Sequence, residues 1–127
     1  MIARPLRLHQ SYDFTRVRRE GRSWSTPLVV LAVLPNDLDH NRYGFAVSRR
    51  VGKAVQRNRI RRWLREAVRA AHPQLRQGYD IVLIARGGLA DPAVRYEDVE
   101  QSVTTLFRRA KLLRSPDMSA PAVPPSH

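Results

Sequence analysis

The chain has 127 residues, with 23 Lys+Arg against 11 Asp+Glu and a formal net charge of +12. That length fits one domain plus tails, and the 43% apolar content excludes wholesale disorder and supports a core without disulfides or metals. The absence of Cys excludes disulfides, thiolate metal sites and cysteine nucleophiles, while so large a positive field attracts a polyanion.

Residues 1–6 lack the apolar run of a signal peptide, and the longest apolar run, residues 28–34, is too short to cross a bilayer. The expectation is a cytoplasmic protein without membrane insertion. Ser11 can cap a first helix over residues 12–20, with Phe14 and Val17 three apart and Gly21 at the position of a left-handed cap. Residues 28–34, opened by Pro27, read as a buried strand. Pro35-Asn36-Asp37 is turn chemistry. Residues 42–48 read as a second strand with Tyr43, Phe45 and Val47 on one face. Gly44, Ala46 and Ser48 make the other face so small-sided that something can lie close against it. A hairpin between these two strands is expected.

A long helix follows over about residues 54–71. Its buried stripe is Ile60, Leu64, Ala67, Val68 and Ala71, and His72-Pro73 ends it. Residues 79–85 form another buried strand, 86–88 a flexible loop, and about 96–113 a last helix, acidic in its first turn and basic in its last. The order helix, strands, helix, strand, helix defines an α+β fold. The expectation is a two-layer α/β sandwich in which three helices accompany one small mixed sheet. Residues 1–114 form a single domain, and the Pro-, Ser- and Ala-rich residues 115–127 are expected to be a disordered tail.

The strongest functional signal is the run from Arg49 and Arg50 through Lys53 to Arg57, Asn58, Arg59, Arg61, Arg62 and Arg65. Like charges four apart on a helix destabilise it, and Glu66 is the local relief. A polyanion relieves the rest, since guanidinium groups bind phosphate in bidentate fashion and stack on bases. A solvated basic face is the bland alternative, disfavoured by the net charge and the scarcity of balancing Glu. Phe14, Tyr43 and Phe45 are candidates for base stacking, with Phe45 better read as core; Trp24 and Trp63 could also stack. The four His residues have no ligand spacing, Asp80 alone is a weak candidate for a hydrated metal, and Gly87-Gly88 lacks the Lys-Ser/Thr of a phosphate loop. No protein catalytic constellation and no metal site are expected.

At Arg57-Asn58-Arg59, preceded by Ser48-Arg49-Arg50-Val51-Gly52, the sequence resembles the protein subunit of bacterial ribonuclease P. The resemblance also takes in Asp13-Phe14, Gly21, Tyr43 to Ser48, Tyr79 to Val82 and Leu106-Phe107. It implies a left-handed strand–helix–strand crossover around the long helix, which the default right-handed rule would not suggest. It also implies two RNA partners, the catalytic ribonuclease P RNA and precursor tRNA, with a protein monomer in a 1:1 complex with the catalytic RNA. Cleavage of the 5′ leader would come from that RNA, which would hold most of the Mg2+. Arg57, Asn58, Arg59, Arg61, Arg62 and Arg65 would face the catalytic RNA. Phe14, Arg49, Arg50 and Lys53 would line the cleft for the leader. Some relatives carry an aromatic where this chain has Arg18 and another in the strand near Ala32, so leader contact would rest more on Phe14 and charge.

Three other readings share part of this evidence. A structural RNA-binding module of ribosomal-protein type has the same size and charge. A major-groove DNA reader would concentrate its base-reading residues on a narrower arc. A self-sufficient nuclease would need an acid–base or ligand constellation.

Overall fold

Two strands that are apolar on both faces make the centre of the sheet. The computed structural model describes residues 11–114. The tail expected at 115–127 lies outside the described residues, and so does the capping side chain of Ser11. In chain order the elements are α1 (Ser11–Glu20), β1 (Arg22–Ser25), β2 (Val29–Pro35), β3 (Arg42–Ala46), α2 (Ala54–Ala71), β4 (Tyr79–Ala85) and α3 (Tyr96–Arg109). Short 3-10 turns occupy Arg49–Val51, His72–Gln74 and Gly87–Ala90. The last of these replaces the flexible loop expected at 86–88.

The strand order is β1-β2-β4-β3, which corrects the expected hairpin between residues 28–34 and 42–48. Instead β4 lies between these strands, antiparallel to β2 and parallel to β3. The loop between β2 and β3 wraps the start of β4 rather than turning back on β2. Asn36 N–H donates to Gly78 O at 2.9 Å, and the buried Asn41 accepts from Tyr79 N–H at 2.9 Å through its Oδ1. β2 pairs its other edge with β1, a strand that the sequence reading allowed for without placing it. β1 is four residues long and mostly exposed, so its apolar signal reduces to Trp24.

The side chains alternate onto two clusters. Leu31, Val33, Tyr43, Ile81 and Leu83 face the main core with Ile60, Leu64 and Val68 of α2 and Val99, Val103, Leu106 and Phe107 of α3. On the opposite face, Ala32 and Val82 pack with Val17 of α1, flanked by Phe14, Leu34 and Ile84. α1 therefore lies across the sheet from α2 and α3, adding a partial third layer to the two-layer sandwich. β3, α2 and β4 form the parallel strand–helix–strand unit. Tyr43 is buried at its centre, and burial pushes its phenol up to about 12. Its hydroxyl lies 2.6 Å from His72 Nδ1 and accepts from Asn41 Nδ2 at 3.2 Å, tying the end of α2 to β3.

α3 ends at Arg109, short of the expected 113. Lys111 takes φ 59°, and the N–H of Leu112 closes back on Phe107 O at 3.0 Å. Leu113 then bridges to Leu75.

Candidate nucleic-acid interface

Helix α2 begins as the sequence suggests, but its first turn has the wrong charge for an isolated helix. The positive end of a helix favours acidic side chains. α3 obeys this rule, with Glu97 and Asp98 in its first turn and Arg108 and Arg109 in its last. α2 has no acid in its first turn, and Lys53 stands at its N-cap behind Arg49 and Arg50. One cap is built in: Gln56 Oε1 accepts from Lys53 N–H at 3.1 Å. That side chain folds over Gly52, whose φ is 155° and where a Cβ would lie 2.1 Å from Gln56 Oε1. The remaining N–H groups, the dipole and three cations form a ready site for phosphate. Val55, 79% exposed in this first turn, adds an apolar surface beside them.

Along α2 the expected RNA-facing residues divide into three sets. Arg57, Arg61 and Arg65 are four apart and half-buried along one flank of the core stripe. The Arg65 guanidinium lies over the Phe45 ring, 5.9 Å from its centroid. Asn58 and Arg62 are exposed on the outer face, and Arg61 Nη1 donates to Asn58 Oδ1 at 3.2 Å. Arg59 sits roughly 160° round the helix from Arg57, taking 100° per residue. It lies over Trp63 at 5.3 Å on the other flank. The six residues thus surround the exposed arc rather than form one face. Arg69 pairs with Glu66 at 2.7 Å, which holds the Glu66 carboxyl below its usual range.

Phe14 occupies the small-sided face of β3. A Cβ on Gly44 would lie 2.6 Å from Phe14 Cζ, so only glycine lets the ring lie this close. The ring is half-buried against Val17, Ala32 and Val82. Ala32 lies under α1, where an aromatic would need the space α1 fills. Past Gly44 the chain leads through Ala46 to Ser48, whose Oγ accepts from Arg50 N–H at 3.3 Å. Phe14 and the cationic start of α2 therefore sit at successive points along one edge strand.

Asp80 is not a metal site. It is fully buried, and its Oδ1 accepts from Asn36 Nδ2 at 2.9 Å and Arg42 Nε at 2.8 Å. Its Oδ2 accepts from Arg42 Nη2 at 2.7 Å, and Arg16 of α1 lies 3.6 Å away. The carboxylate hydrogen bond raises the Arg42 pKa further above its ordinary value. Sequence reasoning missed this network, whose partners come from α1, the loop after β2, β3 and β4. Among the described residues no three His, Asp or Glu side chains converge to hold a metal ion.

A four-stranded mixed sheet with an arginine-rich crossover helix, cationic at its own N-terminus, defines a basic α+β protein built to meet a polyanion. The family model Ribonuclease P matches residues 2–111. The chain is 42% identical over 111 residues to the ribonuclease P protein component of Herpetosiphon aurantiacus, covering 87% of this chain and 89% of that one. It is 45% identical over 115 residues to that of Chloroflexus aurantiacus, covering 91% and 84%. The solved structure of Staphylococcus aureus RNase P protein is similar at TM-score 0.78 and 29% identity, covering 86% and 98%. That of the Thermotoga maritima RNase P protein gives 0.75 and 33%, covering 81% and 96%. The chain belongs to the ribonuclease P protein family.

Proposed function

We propose that this chain binds the catalytic RNA of ribonuclease P through α2, and the single-stranded 5′ leader of precursor tRNA through the surface between Phe14 and the start of α2. The observation that carries this reading is the start of α2: Arg49, Arg50 and Lys53 crowd a positive helix end that has no acid of its own. Such an arrangement is unfavourable in the free protein and is relieved by phosphate. Arg57, Arg61 and Arg65 continue it along the helix. The half-buried ring of Phe14 supplies a stacking platform beside it.

In this account the protein contributes electrostatics and position. Its cations offset phosphate repulsion between two RNAs, and its leader contact separates precursor from mature tRNA. Cleavage of the leader is assigned to the RNA. The Mg2+ is assigned mainly to the RNA as well. The working unit is one protein per catalytic RNA, in the cytoplasm. No helix among the described residues is long and apolar enough to cross a membrane. Nothing in the comparisons favours the ribosomal-type alternative.

Phe14→Ala is expected to weaken precursor tRNA binding by the holoenzyme by about 1–3 kcal/mol, the worth of one stacked base, and to leave mature tRNA binding unchanged. Titrating both tRNAs checks this. Equal losses for the two would remove Phe14 from the leader site.

A further inference from the structure

We propose that the sheet edge opposite α2 carries a second RNA-contact surface, in which Arg22, Arg109 and Lys111 grip the backbone and Trp24 presents its indole to a base. This rests on the RNA-binding reading above and assigns a contact to the far side of the fold. β1 is the outer strand at the other end of the sheet from β3. Arg22 and Trp24, two apart on β1, face the side on which α3 ends. Together with Arg109 and Lys111 they line an open groove of about 430 Å³. Trp24 also borders a second hollow of about 260 Å³ formed with Val33, Tyr79 and Leu112, so its indole, packed on one side against the main core, keeps a partly exposed edge between the two.

The charge of the groove is one-sided. No acidic side chain lines it, and none of its three cations makes an ion pair among the described residues. Glu20 borders the neighbouring hollow and lies 3.6 Å from Arg19. Arg109 Nη1 donates to Ser25 O at 3.1 Å, which aims the guanidinium along β1 and leaves its other donors available. Lys111 supplies an independent sign. Its φ of 59° is a conformation that glycine adopts without strain and that lysine adopts at a cost. The backbone there needs no lysine: the turn is closed by Leu112 N–H on Phe107 O, and Arg76 Nε donates to Lys111 O at 3.2 Å. What the lysine adds is an exposed ammonium in the groove. Cations without ion pairs flanking a partly exposed aromatic ring are the combination that single-stranded or looped RNA uses.

The test uses the full chain carrying Arg22→Gln together with Lys111→Gly, titrated with a bacterial ribonuclease P RNA across a range of KCl concentrations, with Arg57→Ala in parallel. Lys111→Gly relieves the strained turn, so the double variant should melt no lower than the wild type. Its affinity for the RNA should nevertheless fall about tenfold, and the slope of log K against log salt should shrink by about 2. Wild-type affinity and slope in the double variant, with a loss in Arg57→Ala, would overturn this surface and leave the α2 interface standing. No loss in any of the variants would overturn the RNA reading itself. Unchanged RNA affinity with loss of binding only to polyglutamate would give the groove to an acidic protein and overturn the proposal.

Discussion

Asp80→Ala is expected to destabilise the domain by about 3 kcal/mol, at the lower end of the range for breaking a buried ion pair. The substitution leaves the Arg42 guanidinium and the Asn36 amide without their shared acceptor. The Arg42 side chain is 30% exposed, so water recovers part of the loss, which is why the low end applies. Asp80→Asn keeps the volume and one acceptor and should lose roughly half as much. The effect reaches the interface, because Asp80 also holds Arg16 and with it α1, the helix that carries Phe14. Urea unfolding with an unchanged m-value measures the loss. A loss under about 1 kcal/mol would show that Arg42 and Asn36 find other partners.

The second large effect is expected from Arg57→Ala combined with Arg61→Ala. Both side chains lie on the half-buried flank of α2, one turn apart. Neither residue belongs to the buried stripe, so folding should be little changed. Binding to the catalytic RNA should fall by an amount on the order of 1–3 kcal/mol for each residue that reaches a base. Each one that only neutralises a phosphate should reduce the salt slope by about 1. Arg59→Ala is the informative contrast, because Arg59 lies over Trp63 on the other flank. A smaller loss for Arg59→Ala places the catalytic RNA on the Arg57 side. Equal losses mean that the RNA wraps the whole exposed arc. Unchanged assembly of the double variant at physiological salt would remove this flank from the interface.

The limits of α2 were legible because Ile60, Leu64, Ala67 and Val68 recur at helical spacing and Pro73 closes the run. The small face of β3 was legible from Gly44 and Ala46, but its occupant was not: Phe14 reaches Gly44 from 30 positions away. The position of β4 between β2 and β3 is non-local in the same way. It depends on the hydrogen bonds of Asn36 and Asn41 around the start of β4, and turn composition alone suggested a hairpin. Asp80 looked like a lone carboxylate because its main partner, Arg42, becomes a neighbour only through the parallel pairing of β3 and β4. β1 was not placed because an edge strand of Arg-Ser-Trp-Ser carries almost no apolar pattern. Its one apolar residue, Trp24, stood out only as a ring that could stack, with nothing in the sequence to place it at a sheet edge. The division of the arginines between two flanks of α2 was available from helical geometry, since Arg57 and Arg59 are two apart and cannot share a face.

On the proposed function, this chain assists an RNA rather than cutting RNA itself. The most direct measurement reconstitutes the protein with a bacterial ribonuclease P RNA at low Mg2+ and follows 5′-leader removal from precursor tRNA, beside protein-alone and RNA-alone controls. Cleavage is expected in the mixture and with neither component alone. Cleavage by the protein alone would contradict the proposed function.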